Sequence, residues 1–272
     1  IILIYTFHFL FYYSGRCVLF NPTLILYKQI SKVKELISKK NPDIIALPEM
    51  CYIKELEDYY LKMSKNKLIV AGSIYQNGIN YTIVFSNKNK YLIRKYNASG
   101  SEPMIRYQEN ITTDDFIKYH LNEHIFEIKN KKILILNCME YYQHAYTISR
   151  KFNDIFAIIC ICSNNNQKVF IEETKALHNH SENIYSFVIN CISTYQKEEY
   201  AKGNTYIYGP IQYHEQDWLR KEGHDIDNHA CSILKLSNNP EYFYGEFTNN
   251  FSRFGRSDYY LNNPKNIEIG NL

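Results

Sequence analysis

The sequence predicts an α/β protein in which β-sheets are covered on a face by helices. Short, continuously apolar segments recur along the chain, as in Ile155–Cys162, and such segments are typical of buried strands. Between them lie longer stretches with apolar residues at helical spacing, as in Leu24–Lys39. Continuous apolar strands that alternate with amphipathic helices indicate sheets packed under helices.

The first half of the chain opens with an apolar segment, Ile1–Tyr13, that we expect to form a core strand. This segment is too short to span a membrane as a helix, and it lacks the basic start and cleavage site of a signal peptide. Asn41-Pro42 ends the first helix, and Asn77-Gly78 and Asn87-Lys-Asn89 mark turns between strands. The elements predicted here are helices over Leu24–Lys39 and Cys51–Lys65, and strands over Asp43–Leu47, Lys67–Ala71, Tyr81–Phe85 and Tyr91–Lys95.

The second half repeats this alternation. Its predicted strands are His124–Ile128, Lys132–Asn137, Asp154–Ile161 and Tyr185–Asn190, with weaker ones at Thr205–Tyr208, Cys231–Leu236 and Tyr242–Phe247, and its predicted helices are Tyr141–Phe152 and Val169–Asn183. No internal repeat or composition break marks a linker, so we expect one domain over residues 1–250. An Asn-rich polar tail is expected over residues 251–272.

Composition narrows the class of protein. The 272 residues can bury a full core, and a net charge of +3 gives no argument for binding nucleic acid. Abundant aromatic residues argue against disorder. The seven cysteines are scattered, which indicates buried thiols in a reduced, cytoplasmic protein. The first residue is not Met, which leaves open that the chain is a fragment of a longer protein.

Three reactive side chains each follow a predicted strand. They are Glu49 in Asp43-Ile-Ile-Ala-Leu-Pro-Glu49, Lys95 in Leu92-Ile-Arg-Lys95 and Cys138 in Ile133-Leu-Ile-Leu-Asn-Cys138. Taken singly, each residue has an ordinary explanation. Glu49 can open a helix, Lys95 can be a solvated lysine and Cys138 can be a buried structural cysteine. A carboxylate, an amine and a thiol delivered from three strand ends can also meet in one pocket.

In their order and spacing these residues resemble the Glu–Lys–Cys triad of the nitrilase, or carbon–nitrogen hydrolase, superfamily. The resemblance implies an αββα four-layer sandwich, in which two β-sheets are flanked by helices. It also implies that Glu49 is the general base, that Lys95 stabilises an oxyanion and that Cys138 is the nucleophile. A thiol at the turn into a helix gains from the helix N-terminus, which favours the thiolate.

Further site residues follow from the same resemblance. Glu102 lies seven residues after Lys95 and matches an additional glutamate that orients substrate or assists the base in many members. Glu140, two residues after Cys138, and Asn190, at the end of a predicted strand, are expected to contact substrate.

Several positions depart from the family pattern. Met139 replaces the aromatic residue that usually follows the nucleophile, and Gln143-His-Ala145 stands where Phe-Pro-Glu is common. Glu182-Asn183 resembles the end of the family's Arg-Ala-x-Glu-Asn helix, but Asn179 stands where Arg is common. These departures indicate an outlying subfamily with an altered pocket.

The implied activity is hydrolysis of a non-peptide C–N bond in a small amide, carbamyl compound or nitrile, through a Cys thioester and without a cofactor. The resemblance also implies a homodimer or larger homo-oligomer, with neither a membrane nor nucleic acid as a partner. Two alternatives stay open. The chain could be a non-catalytic or sensing module of a larger protein, as in some reverse transcriptases of phage defence or glutamine-dependent synthetases, or it could transfer an acyl group to an amine.

Histidine spacing gives a weaker signal. The pairs His178/His180 and His224/His229, the latter near Cys231, have loosely ligand-like spacings. They form no closed set of four ligands, so we expect surface or helix histidines and no metal site.

Overall fold

The structure of the chain, a computed structural model, describes residues 2–5, 8–11, 23–99, 110–164, 166, 168–178, 184–195, 198–202, 205–210, 226–227, 230–235, 241–246 and 265–271. Within these residues there are two seven-stranded sheets and one three-stranded sheet. Six α-helices and one 3-10 helix are present in the same part of the chain.

The first sheet has parallel strands at its centre and antiparallel strands toward its edges. Its strands are β1 (Ile2–Tyr5), β3 (Ile44–Ala46), β4 (Leu68–Gln76), β5 (Ile79–Ser86), β6 (Asn89–Arg94), β16 (Glu241–Glu246) and β17 (Lys265–Asn271), in the order β17-β16-β1-β3-β4-β5-β6. Strands β1, β3 and β4 run parallel to one another. The turn predicted at Asn77-Gly78 is confirmed, and the turn predicted at Asn87-Lys-Asn89 consists of Asn87 and Lys88, with Asn89 already in β6. All four turn residues have positive φ, as a two-residue hairpin turn requires.

The second sheet repeats this plan. Its strands are β7 (Ile125–Ile128), β8 (Lys131–Asn137), β9 (Ile155–Cys162), β10 (Tyr185–Asn190), β13 (Tyr206–Pro210), β14 (Ile226–Asp227) and β15 (Ala230–Lys235), in the order β14-β15-β13-β10-β9-β8-β7. Strands β8, β9 and β10 are parallel. The three-stranded sheet consists of β2 (His8–Phe11), β11 (Ile192–Tyr195) and β12 (Glu198–Lys202).

The helices cover the outer faces of the two large sheets. They are α1 (Thr23–Lys40), a 3-10 helix (Lys54–Leu56), α2 (Glu57–Met63), α3 (Thr113–Tyr119), α4 (Leu121–His124), α5 (Met139–Lys151) and α6 (Lys168–His178). Apolar side chains of α1 and α2 pack on the first sheet, and those of α3, α5 and α6 pack on the second. None of the described helices is long and apolar enough to cross a membrane.

Strand alternation separates the apolar side chains into three layers. In β3, Ile44 and Ala46 pack toward the second sheet, whereas Ile45 packs with the helices that cover the first sheet. A central apolar layer contains residues of both large sheets, among them Val70, Ile133, Ile159 and Phe187. Helices, sheet, sheet and helices therefore follow one another, which confirms the predicted αββα sandwich.

Some elements differ from the prediction. The helix expected over Cys51–Lys65 begins only at Lys54, because Ile53 is extended, with φ of −121°. Helix α3 was not predicted, although Thr112 caps it by accepting the Asp115 N–H and two acidic residues occupy its first turn. The signal for this helix was therefore present in the sequence.

The two ends of the chain also contribute strands. The apolar start contains β1 in the first sheet, as predicted, and also β2 in the three-stranded sheet. The tail expected over residues 251–272 contributes β17, which pairs with β16 at the edge of the first sheet. The domain boundary at residue 250 stays a prediction.

Candidate active site

Glu49 lies three residues beyond the end of β3, in a segment that packs closely on β4. Gly72 of β4 has φ of +93°, and a Cβ atom there would lie 2.8 Å from both the Pro48 carbonyl oxygen and the Tyr52 nitrogen. Only glycine fits this conformation and this approach without strain. Glu49 itself is 4% exposed. The close contact with Gly72 therefore fixes the position of the segment that carries the buried carboxylate.

Lys95 forms a buried ion pair with Glu49. Its Nζ lies 3.2 Å from Glu49 Oε1, and Lys95 is 1% exposed. The same oxygen accepts a hydrogen bond of 2.8 Å from Asn80 Nδ2. The backbone N–H of Lys95 donates to the Asn80 carbonyl at 2.9 Å, which continues the pairing of β5 with β6. Charges are tolerated in a protein interior when they are paired and hydrogen-bonded in this way.

Cys138 occupies the turn between β8 and α5. Its φ of 43° and ψ of −103° fall outside the regions that non-glycine residues commonly adopt. Such a conformation costs about 1–3 kcal/mol and is found mainly at functional sites. The Cys138 N–H donates to the Ile161 carbonyl at 2.8 Å, so the strained residue stays anchored to β9. Since α5 begins at Met139, the thiol lies at the positive end of a helix.

Glu140 ties the Lys95 segment to the Cys138 segment. One carboxylate oxygen accepts the N–H of Tyr96 at 2.7 Å, and the other accepts the N–H of Asn137 at 3.1 Å. Tyr96 follows Lys95 in the chain, and Asn137 precedes Cys138. One fully buried carboxylate therefore holds the neighbours of both predicted site residues.

A second bond joins the two large sheets at the same end. Asn137 Nδ2 donates to Thr82 Oγ1 at 3.1 Å, and both side chains are buried. Thr82 lies two residues beyond Asn80 in β5. The sheets are thus cross-linked by hydrogen bonds next to the Glu49–Lys95 pair.

Hydrogen bonds bring the segments of the three predicted residues to one end of the sandwich. Glu49 and Lys95 are joined by their ion pair, and the Glu140 carboxylate bonds the residues next to Lys95 and Cys138. Cys160 lies in β9 opposite Leu136, two residues before Cys138, and burial raises the pKa of its thiol. A joint catalytic role of Glu49, Lys95 and Cys138 stays a prediction.

The remaining predicted site residues have different surroundings. Glu102 lies outside the described residues. Asn190 is buried, and its amide bonds to the backbone of Asn164, accepting the N–H at 2.8 Å and donating to the carbonyl at 2.7 Å. Glu140 is occupied by the backbone amides of Tyr96 and Asn137. Contact of Glu102, Glu140 and Asn190 with substrate stays a prediction.

The histidines do not form a metal site in the described part of the chain, where no three His, Cys, Asp or Glu side chains are grouped to hold an ion. His178 is a buried helix residue whose Nε2 lies 3.0 Å from Ser186 Oγ. His180, His224 and His229 lie outside the described residues.

Asn80 was not predicted as a site residue. A signal was available, because the turn Asn87-Lys88 pairs Ser86 with Asn89, and this register places Asn80 opposite Lys95. A polar residue in a buried strand, opposite a candidate lysine, marks a position near the site.

Comparisons with solved structures identify the fold. Nit3 of Saccharomyces cerevisiae, a member of the nitrilase superfamily, superimposes with a TM-score of 0.57 at 11% identity, over 89% of this chain and 87% of Nit3. This chain has the nitrilase fold. An amidase from Nesterenkonia sp. shares the nitrilase fold with a TM-score of 0.57 at 9% identity, over 89% of this chain and 87% of the amidase.

The nitrilase fold also matches part of a larger protein. Glutamine-dependent NAD+ synthetase of Acinetobacter baumannii superimposes with a TM-score of 0.50 at 15% identity, over 76% of this chain but only 40% of the synthetase. Neither a protein-family model nor a curated protein sequence matches the chain. At these identities the similarity concerns the fold.

Proposed function

We propose that the chain hydrolyses the C–N bond of a small amide, carbamyl compound or nitrile, with Cys138 as nucleophile. The observation that carries this proposal is the buried ion pair of Glu49 and Lys95, held beside the strained Cys138 turn by the Glu140 carboxylate. A paired base and cation next to a thiol at a helix N-terminus supply the groups that acyl transfer requires.

In the first step Glu49 takes the proton of the Cys138 thiol, and the thiolate attacks the carbon of the C–N group. With an amide or carbamyl substrate a tetrahedral intermediate forms, and negative charge develops on the substrate oxygen. Lys95 stabilises this oxyanion together with the backbone N–H that follows Cys138. A fixed charge in a site this dry contributes most where charge develops in the transition state.

In the second step Glu49 gives its proton to the leaving nitrogen, the C–N bond breaks, and ammonia or an amine departs. A thioester on Cys138 remains. Glu49 then takes a proton from water, whose oxygen attacks the thioester and releases a carboxylic acid and the thiol. One carboxylate thus acts alternately as base and acid.

Small amides are the substrate class that we favour. A cysteine-to-alanine variant of the Nesterenkonia amidase has been solved with butyramide, and in a glutamate-to-glutamine variant the active-site cysteine carries the product of Michael addition of acrylamide. These compounds are suitable first probes here, because the described site residues are almost entirely buried and a buried site admits a small ligand more readily than a large one.

The test is release of ammonia from a panel of butyramide, a carbamyl compound and butyronitrile. Cys138→Ala should lower activity on any accepted substrate by on the order of 10⁴-fold or more while the protein stays folded. Cys191→Ala, which removes another buried thiol, is the matched control and should keep most of the activity. Full activity of Cys138→Ala on an accepted substrate would disprove the assignment of the nucleophile.

A second candidate is a nitrilase-fold module within a larger protein. The match to only 40% of the NAD+ synthetase favours it, since the fold there accompanies further sequence. Intact-mass analysis after treatment with acrylamide separates the two candidates. A single adduct on Cys138 supports a reactive site, whereas a Cys138 no more reactive than the other buried cysteines supports a non-catalytic module. Homo-oligomerisation and a cytoplasmic location stay predictions.

A further inference from the structure

Asn80 contacts both charged residues of the proposed site. Its side-chain Nδ2 donates to Glu49 Oε1 at 2.8 Å, and its carbonyl oxygen accepts the Lys95 backbone N–H at 2.9 Å. Asn80 is fully buried. The hydrogen bond to Glu49 spans two elements that are 31 residues apart in sequence. A buried amide in this position therefore links the loop after β3 to the β5–β6 hairpin.

The Lys95 ammonium and the Asn80 amide both donate to the same oxygen, Glu49 Oε1. Each carboxylate oxygen has two lone-pair sites, so these two donors use those of Oε1 and fix the plane of the carboxylate. Orientation of this kind matters because a base that is misplaced by about 1 Å can lose on the order of 100-fold in rate.

We propose that Asn80 is a positioning residue that orients Glu49 as the base for Cys138. The inference rests on the proposed function, since it assigns a role to Asn80 through Glu49. Lys95 supplies a positive charge, but on its own it holds the Glu49 carboxylate from one direction. The Asn80 amide adds a second, directional hydrogen bond from the rigid strand β5.

The hydrogen bond also sets the pH range in which Glu49 can act. A donor to the ionised carboxylate favours that form, so removal of the donor lets the carboxylate bind a proton at higher pH. The titratable groups around Glu49 in the described residues are Lys95, Cys51 and Cys160, with Cys138 and the buried Glu140 carboxylate on the adjoining turn. Burial raises the pKa of the Cys51 and Cys160 thiols, so they stay neutral, and Lys95 and Glu140 are the other charges in the balance.

Two variants test this role on the full chain. Asn80→Leu keeps the approximate volume and removes the donor. Asn80→Asp keeps the shape and places a second carboxylate beside Glu49. Thr174→Val is the matched control, because it removes a buried hydroxyl of α6 that bonds to Tyr141 of α5 and to the Phe170 carbonyl of α6. Each protein is assayed for amide hydrolysis and for the rate at which acrylamide alkylates Cys138 as a function of pH.

We expect Asn80→Leu to lower kcat by about ten- to hundred-fold, with little change in KM, because one hydrogen bond to a charged group is lost. On the acid side of the pH profile, the alkylation rate of Cys138 falls as Glu49 binds a proton. This acid limb should move to higher pH by about one unit in Asn80→Leu and by more than that in Asn80→Asp. Thr174→Val should lose stability but keep the wild-type profile. An unchanged acid limb in both Asn80 variants would overturn the inference and leave the proposed function standing.

The reverse outcome is also distinguishable. If the wild-type protein hydrolyses no compound of the panel while the acid limb of alkylation still shifts in the Asn80 variants, hydrolysis is wrong and the positioning role stands. A wild-type Cys138 that acrylamide does not alkylate at any pH would contradict both, since Glu49 would then have no thiol to activate.

Discussion

The ammonium group of Lys95 lies 3.2 Å from the carboxylate of Glu49, and neither side chain is more than 5% exposed. Removal of one partner leaves the other charge buried without its counter-ion. Lys95→Met should therefore destabilise the protein by about 3–5 kcal/mol as well as abolish the proposed hydrolysis. Chemical denaturation gives the free energy of unfolding.

The double variant Glu49→Leu with Lys95→Met is the control for this prediction. It removes both charges, so it should be more stable than Lys95→Met although it stays inactive. Glu49→Leu alone completes the comparison. If the double variant loses as much unfolding free energy as Lys95→Met and Glu49→Leu lose together, the two residues are not energetically coupled and the prediction is wrong.

Glu140 gives a second prediction, because its two oxygens accept backbone N–H groups from both sides of the site. Glu140→Gln places an amide NH₂ against one of those donors, so one bond is lost and two donors face each other. We expect a loss of about 1–3 kcal/mol in unfolding free energy and a lower kcat. Glu173→Gln is the matched control, since Glu173 accepts a single bond, from Tyr146 N–H, which glutamine can still accept. Equal effects of the two substitutions on kcat would argue against the bridging role.

The sequence predicted the central strands and the strand ends that carry Glu49, Lys95 and Cys138. For Glu49 and Cys138 the predictions succeeded because β3 and most of β8 are buried on both faces and read as continuous apolar runs, which makes their ends visible in the sequence. Lys95 follows β6, an edge strand with exposed residues, so burial does not explain that prediction. The resemblance to a known triad then added the sandwich, which periodicity alone does not specify.

Features that depend on long-range pairing were not predicted. The contact of Asn80 with Glu49 spans 31 residues, and the hydrogen bond from the Tyr96 N–H to Glu140 spans 44. The hairpin register indicates that Asn80 lies opposite Lys95, but no local pattern indicates that it reaches Glu49. The strand β17 was missed because its short apolar alternation lies within a polar tail and gains its partner only from β16. Tertiary pairing decides such elements more than propensity does.

Gly72 provides a prediction about the backbone under Glu49. In Gly72→Ala the new Cβ would lie less than 3.0 Å from three backbone atoms of Pro48, Cys51 and Tyr52, so the segment that carries Glu49 must move. We expect loss of activity and a loss of stability above the roughly 1 kcal/mol that a strained φ alone costs. Gly78→Ala, in the turn after β4 with φ of +78°, is the matched control and should lose stability with a smaller effect on kcat. The comparison requires denaturation curves and steady-state rates for both variants.

Buried histidines predict how stability depends on pH. Burial lowers the pKa of His124 and His144 to about 4 and that of His178 to about 3, from an ordinary value of 6.5. Between pH 6.5 and pH 4 the unfolded chain therefore binds more protons than the folded protein does. Stability should fall as pH falls through this window, by up to about 1.4 kcal/mol per pH unit for each histidine. Below the folded pKa values these histidines contribute no further dependence.

His178→Phe should flatten this dependence, because phenylalanine keeps a ring in the buried position and binds no proton. The measurement is the free energy of unfolding at several pH values between 4 and 7, compared with the wild-type protein. The matched control is His120→Phe, because His120 is partly exposed and stacks on Tyr96. If the unfolding free energy of His178→Phe falls with pH as steeply as that of the wild type, His178 does not contribute to the pH dependence of stability.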